Sequence, residues 1–414
     1  HQNKCITLMN NPKKAYLILF SLLWPFFSVI NGIKNFDNKF SRKLFVIFGF
    51  GFLGFTAEQE GDLKRYASAY YEKTDTSLSE FFSQLISLNA GKFFIYISAN
   101  ILSVFNSHQV YFAFLFMIFG HFYVDTVYLL KQRSLKPIYS WGYLLFAAFG
   151  LYFSIRSIIN LAFYLGAIYY LYMILSYILR GKQKKYLYLS LLVPLFHIGL
   201  APMIIASLSV LAFGNKTKMF LFLFFFSLAV GQTSFVNLIN VVATEADSDL
   251  LDSKYKSYAS DKGQAYMEAR YAKGEESQNI KIATLNFFAK ALNYVVFPFG
   301  LLLVYLGKVR YFKDKIALLL FNACLANWSV SNLMLNISQG ERFLLISTFM
   351  TFALLIYLYQ KNTMKKVLKV YSIISLPLLL VVGVGKLYAS NKLMNFEFGV
   401  SNYFIEIFNM FLIS

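Results

Sequence analysis

Charge is what this sequence has least of. Asp, Glu, Lys and Arg make up 14% of its 414 residues, where a soluble domain carries about a quarter. A soluble globular domain of this length is thereby excluded. Cysteine is almost absent: Cys5 and Cys324 lie far apart, the second inside an apolar run, so neither a disulfide framework nor a cysteine metal site is available. Only four histidines are present, with no ligand spacing around them, and no metal or cofactor is expected. The letters of a dinucleotide fingerprint do occur, as GFGFLG at 49–54. The setting is apolar and lacks the strand-to-helix context such a site needs, so these glycines read as contacts for close helix packing. No small-residue cleavage site follows the first apolar run at 15–33, so no cleavable signal peptide is expected.

What the sequence has in abundance is apolar runs. Hydrophobic residues make up 58% of the chain, in stretches such as MFLFLFFFSLAVG (219–231) and VYSIISLPLLLVVGVG (370–385). Runs near 20 residues match the thickness of a bilayer. The pattern predicts an all-α, polytopic integral membrane protein forming one membrane domain over 1–414, with about 10–12 transmembrane helices. Spans are expected near 15–33, 43–57, 108–130, 138–155, 157–179, 219–243, 284–306, 316–335, 343–360 and 370–388. Segment 81–107 mixes aromatics with Ser, Asn and Gln, which suits an interfacial or partly re-entrant helix.

The net charge of +19 is carried entirely by short basic clusters at 34–43, 131–136, 180–185, 216–218, 308–315 and 361–369. That is the pattern of cytoplasmic loops, not a nucleic-acid surface. Two crossings separate successive clusters everywhere except at 186–213, which joins two of them directly. This stretch must therefore leave and return on one side. Its two arms, about 13 residues each, would reach roughly 20 Å at 1.5 Å per residue. Pro194 and Pro202 break it, so LLVPLFHIGLAPM (191–203) is expected to be a re-entrant or broken helix with His197 at its tip. Lys4, Lys13 and Lys14 are the exception, because a crossing at 15–33 puts them on the opposite side from the clusters. The long polar segments 58–80 and 244–282 then become external loops, both net acidic, and 58–107 and 244–282 are expected to contribute to a site.

Several residues on that external side can carry chemistry. Arg156 (YFSIRSIIN) lies between apolar spans, where positive-inside bias does not explain it. It is either a snorkelling anchor or a functional cation. Arg342 (SQGERFLL) opens a span, where a cation opposes the helix dipole, unless it pairs with Glu341. Arg65 and Arg270 lie in the external loops and read first as solvated charges. His197 is either a satisfied core histidine or a base able to take a proton near neutral pH. Glu58, Glu60 and Asp62 form an acidic run that can be solvated loop, alternative base or sugar-hydroxyl ligand. His121 and Asp125, spaced i, i+4, read as an intramembrane pair, with a proton relay as the alternative.

Taken together, GDLKRYASAYY (61–71), FFSQLIS (81–87), SIRSIINLAFYLG (154–166), LFHIGLAP (195–202) and GERFLL (340–345) resemble the Wzy-type polysaccharide polymerases, in particular the EpsG-like group. The resemblance implies a glycosyltransferase of the bacterial plasma (inner) membrane, with its site facing the periplasm or outside. It would join undecaprenyl-pyrophosphate-linked repeat units, donor to acceptor, with a membrane chain-length regulator of the Wzz kind as a partner. On this reading Arg156, Arg342, Arg270 and Arg65 hold the pyrophosphate. His197, Asp62 or Glu60 supplies the base. The competing readings are a flippase or transporter of lipid-linked oligosaccharide and an O-antigen ligase-like transferase. No internal repeat, which transporters often show, is visible in the sequence.

Overall fold

In the computed structural model the described residues are 12–57, 62–73, 79, 83, 93–132, 161–231, 287–307, 313–335, 340–361, 365–388 and 401–406. All regular structure among them is helical. Five helices are long and apolar enough to cross a membrane: His108–Gln132, Leu161–Leu179, Phe287–Leu306, Lys315–Met334 and Glu341–Tyr359. Shorter apolar helices accompany them, and the chain is a multi-pass membrane protein. The expected span at 138–155 lies outside the described residues.

The N-terminal segment departs from the expected crossing. Helices α1 (Pro12–Leu23) and α2 (Pro25–Lys34) are separated at Trp24, whose φ of −141° is not helical, with Pro25 in the first position of α2. A proline there fits a helix start and cannot continue the one before it. The two helices pack on each other, and Lys14 Nζ lies 5.7 Å from the ring centroid of Phe40, beside the first basic cluster. Segment 15–33 therefore goes in and comes back, and Lys14 joins the basic side instead of opposing it. The exception to the charge rule arises from reading Pro25 as part of a continuous span.

Helix α3 (Lys39–Leu44) continues through a π-helical stretch (Phe45–Phe50) into α4 (Gly51–Phe55). Here the GFGFLG glycines have the packing role expected of them. A Cβ on Gly54 would come within 2.6 Å of the Phe112 carbonyl on α7 (His108–Gln132), so only glycine lets these backbones approach. The stretch expected to be polar loop at 58–80 is helical over α5 (Asp62–Lys73). Leu63, Tyr66, Ala67 and Tyr70 are buried while Lys64, Arg65, Ser68 and Tyr71 are exposed, an i, i+3, i+4, i+7 face in a polar sequence. Helix α6 (Phe93–Leu102) ends in a 3₁₀ turn and a left-handed Asn106 (φ 42°). The Tyr70 hydroxyl donates to the Leu102 carbonyl (2.9 Å) and accepts from the Ser107 N–H (3.2 Å), tying α5 to that turn.

At the centre stands α8 (Leu161–Leu179), buried over nearly its whole length. It packs beside α7 and against the broken segment that follows it. That segment comprises α9 (Lys184–Ser190), two 3₁₀ turns (Val193–Leu195 and Ile198–Leu200) and α10 (Met203–Phe213). The Ser190 and Ser207 hydroxyls meet at 2.7 Å, so the two arms run side by side and the hairpin read from charge is present.

The C-terminal part centres on α13 (Lys315–Met334), packed between α11 (Thr217–Gly231) and α14 (Glu341–Gln360). The Trp328 indole N–H donates to Thr351 Oγ1 (2.9 Å), the Ser331 and Ser347 hydroxyls meet at 2.7 Å, and Asn332 Nδ2 donates to Ser227 Oγ (3.2 Å). Lipid supplies no hydrophobic drive between helices, so such bonds and close packing hold them, each bond contributing about 0.6 kcal/mol on average. The remaining helices are α12 (Phe297–Leu306), entered through a π-helical turn (Leu292–Val296), and α15 (Lys365–Tyr388), which contains Pro377.

Candidate functional site

The site is built around the start of α8. Phe163 there is 4% exposed and is met from two sides by aromatic edges. The His197 ring lies 5.6 Å away at 78° and the Phe343 ring 5.7 Å away at 85°. The Arg342 guanidinium carbon is 5.9 Å from the Phe163 centroid, within the range of a cation–π contact. Two residues that the sequence reading singles out from opposite parts of the chain, His197 and Arg342, thus share one aromatic neighbour that it does not name.

His197 reaches this place because the hairpin is deep. Phe163 lies sixteen residues before Leu179, about 24 Å along α8 at 1.5 Å per residue. The hairpin starts beside the far end of α8 and its tip comes nearly level with the near end. Gly166 makes room for it: a Cβ there would fall 2.5 Å from Leu200 Cδ1 and 2.9 Å from Phe196 Cβ. Phe196 also packs on Phe94 of α6 (4.7 Å) and Tyr169 of α8 (4.6 Å).

The geometry of His197 limits what its ring can do. Its backbone is extended (φ −159°, ψ 119°), and Nδ1 accepts the Gly199 N–H at 3.0 Å, capping the second 3₁₀ turn. In the neutral ring that bond occupies the Nδ1 lone pair and leaves the proton on Nε2. The imidazole is set to donate through Nε2–H. To act as a base at Nδ1 it would first have to release Gly199.

Tyr66 of α5 completes the described part of the site. Burial pushes its phenol up to about 12, and the Tyr96 phenol adds to the rise. The Ala162 backbone N–H and the charges of Arg65 and Arg342 pull the other way. The hydroxyl therefore stays neutral at physiological pH. It sits near the Ala162 amide in the first described turn of α8 and within electrostatic reach of both arginines. Sequence reading passes over Tyr66 and Phe163, because they are two among 30 tyrosines and 46 phenylalanines.

The other sequence candidates divide clearly. Arg65 is exposed, as a solvated charge should be, yet its charge reaches Tyr66. Asp62 is the first residue of α5, a position where an acid complements the helix dipole. Glu60, Glu58, Arg156 and Arg270 lie outside the described residues. Arg342 does not take Glu341 as its partner among the described residues; that carboxylate lies within electrostatic reach of the Tyr294 hydroxyl. Among the described residues no carboxylate pairs with Arg342. His121 and Asp125 do pair, with Nδ1 3.7 Å from Oδ2, and Asp125 also acts on Tyr172 of α8. Among the described residues no three His, Cys, Asp or Glu side chains gather as metal ligands.

A cation without a described acid partner, a histidine donor at a hairpin tip and a neutral phenol converge at one end of α8. A guanidinium beside hydrogen-bond donors is chemically competent to bind an anion. No curated protein and no solved structure matches the chain. The sequence profile described as the EpsG family matches residues 39–403, most of the chain and every described element of the site. The chain belongs to the EpsG family, the family of Wzy-type polysaccharide polymerases.

Proposed function

We propose that the protein polymerises polysaccharide by transferring a growing glycan from one undecaprenyl-pyrophosphate carrier to the repeat unit on another, at the outer face of the bacterial plasma membrane. The observation that carries this reading is Arg342. It opens α14 against the helix dipole, beside Phe163, and without a described carboxylate partner. A half-buried cation in such a place calls for an anion, and a guanidinium matches the paired oxygens of a pyrophosphate.

In the proposed reaction a hydroxyl oxygen of the acceptor sugar attacks the anomeric carbon of the donor glycan. The bond from that carbon to the pyrophosphate oxygen breaks, and undecaprenyl pyrophosphate leaves with the bonding electrons. Arg342, with Arg156, Arg270 and Arg65 from the adjoining external segments, balances the charge that gathers on the leaving group. The acceptor proton passes to a carboxylate, either Asp62 at the head of α5 or Glu60. His197, whose Nδ1 is held by Gly199, donates Nε2–H to a ligand oxygen and orients it. The acidic external segments and the membrane chain-length regulator belong to the same proposal.

A gene-deletion phenotype tests the reading. Cells lacking the protein should carry surface glycolipid capped with a single repeat unit. Loss of every surface repeat unit would indicate a flippase or a ligase instead and would overturn the proposal.

A further inference from the structure

The hairpin tip is held by a cluster of polar groups that no ligand-facing role explains. Ser190 and Ser207, one on each arm and both fully buried, bond to each other at 2.7 Å. Ser190 also donates to the Leu187 carbonyl at 2.6 Å in one hydroxyl orientation, which leaves Ser207 to donate to Ser190. The Tyr170 hydroxyl on α8 and the Asn327 side chain on α13, both residues fully buried, face the same place. The Tyr170 hydroxyl lies within electrostatic reach of Ser207 and Asn327 but makes no hydrogen bond, and Asn327 Oδ1 makes none either. Asn327 Nδ2 is taken up by the Ala323 carbonyl (2.7 Å).

Two buried serines, one on each arm, thus bond about halfway along the hairpin, near the buried Tyr170 of α8 and Asn327 of α13. Apolar contacts alone would leave the arms free to slide, since lipid and protein interior attract them about equally. Polar groups in such surroundings specify one register, because each alternative leaves a donor or acceptor without a partner. The prolines make this control necessary. Pro194 and Pro202 remove helical hydrogen bonds on either side of His197, so the tip cannot be held in place by a continuous helix.

We infer that the Ser190–Ser207 bond is a register lock that fixes how deep the broken hairpin sits, and that these two serines are positioning residues for the His197 tip. The structural part of the inference stands on the hairpin geometry; its bearing on turnover rests on the proposed polymerase reading. With the lock in place, Phe196 and Leu200 stay seated over Gly166 and His197 stays edge-on to Phe163. With the Ser190–Ser207 bond removed, the arms gain access to neighbouring registers and the tip leaves its seat for part of the time.

The test reads the tip directly. A thiol is placed at the tip by Ile198→Cys in the full-length chain, with Cys5, which lies outside the described residues, replaced by Ser. Cys324 is fully buried and can remain. Labelling of detergent-solubilised protein by a small maleimide is then timed with and without Ser190→Ala, Ser207→Ala or both. The lock predicts about fivefold faster labelling at position 198 in either single variant, the population shift that one net hydrogen bond supports. The double variant should be no faster than the singles, because both remove the same bond. Tyr170→Phe, which removes a buried hydroxyl that makes no bond, should not accelerate labelling. Unchanged labelling in all variants overturns the inference, and so does additive acceleration accompanied by a general loss of thermal stability. Polymer length in cells is scored in parallel. Faster labelling with normal polymer leaves the lock standing and counts against a role for His197 in the proposed reaction, so the two readings fail separately.

Discussion

The two ends of α8 use arginine in opposite ways. At its C-terminal end Arg180 bonds the Tyr186 hydroxyl at 2.8 Å and the Tyr172 hydroxyl at 3.2 Å, with both rings within 6 Å of its guanidinium carbon. In the first basic cluster, Arg42 donates to the carbonyls of Phe36 (2.7 Å) and Asp37 (3.1 Å) and stacks 3.3 Å from the centroid of Tyr128. Lys131 reaches the Asp37 carboxylate at 2.8 Å. These cations are satisfied by the protein itself and hold the helix ends together. At the N-terminal end of α8, Arg342 meets the Phe163 ring and the field of a neutral tyrosine, with no carboxylate partner among the described residues. The same residue type is structural where carbonyls and hydroxyls surround it. Under the proposed function it serves a ligand where they do not.

Arg342→Ala should therefore have the greatest effect on function. Loss of a charge-assisted contact to the leaving group, about 3 kcal/mol, lowers polymer formation in membranes about 100-fold at unchanged protein level. Arg342→Lys should recover only part of it, since an ammonium lacks the bidentate fork. Near-normal polymer from Arg342→Ala would remove the functional half of the comparison. Arg180→Ala should do the reverse. It deprives two tyrosine hydroxyls of their partner, and a thermal-unfolding measurement in detergent should show a loss of roughly 1–3 kcal/mol, while the specific activity of the folded fraction stays within about twofold. A large loss of specific activity with unchanged stability would place Arg180 in the site.

Gly166→Ala probes the seat of the hairpin. The added methyl overlaps Leu200 and Phe196, and overpacking of this kind costs about 1–3 kcal/mol. Activity should fall as His197 shifts, with the substrate concentration for half-maximal rate nearly unchanged, because Arg342 is left alone. The smallest effect is expected from Tyr66→Phe. The Tyr66 pKa is raised from 10.0 to about 12 by burial, so the unfolded chain gives up this proton first and stability falls as pH rises from about 10 to 12. The phenylalanine variant lacks this group, and its alkaline loss of stability over that window should be shallower by up to one proton. Equal slopes would show that the Tyr66 hydroxyl is not buried as described.

Much of this architecture was legible in the sequence because charge and apolar length are global constraints. The hairpin at 186–213 follows from basic clusters that must share a side, and the Ser190–Ser207 contact is its physical counterpart. The same bookkeeping failed at 15–33, where a local feature overrides the hydropathy pattern. Trp24–Pro25 breaks the helix, and Lys14 lies at Phe40, so the misfit of the N-terminal lysines was itself the signal. Helix α5 was hidden in a polar stretch whose buried face consists of only Leu63, Tyr66, Ala67 and Tyr70. In the site, Arg342 and His197 stood out as rare polar residues in apolar surroundings. Phe163 and Tyr66 did not, because aromatic side chains make up 19% of the chain and only tertiary packing distinguishes these two. The tautomer of His197 was equally out of reach, since it depends on a bond to Gly199 across a 3₁₀ turn.

The most direct test of the account is the binding of undecaprenyl pyrophosphate to purified protein, compared between the two ends of α8. Relative to wild type, Arg342→Ala should weaken binding by at least tenfold, and Arg180→Ala should leave it within about twofold once the folded fraction is matched. Equal weakening in both variants, or none at Arg342→Ala, would contradict the assignment of the ligand cation to the start of α14.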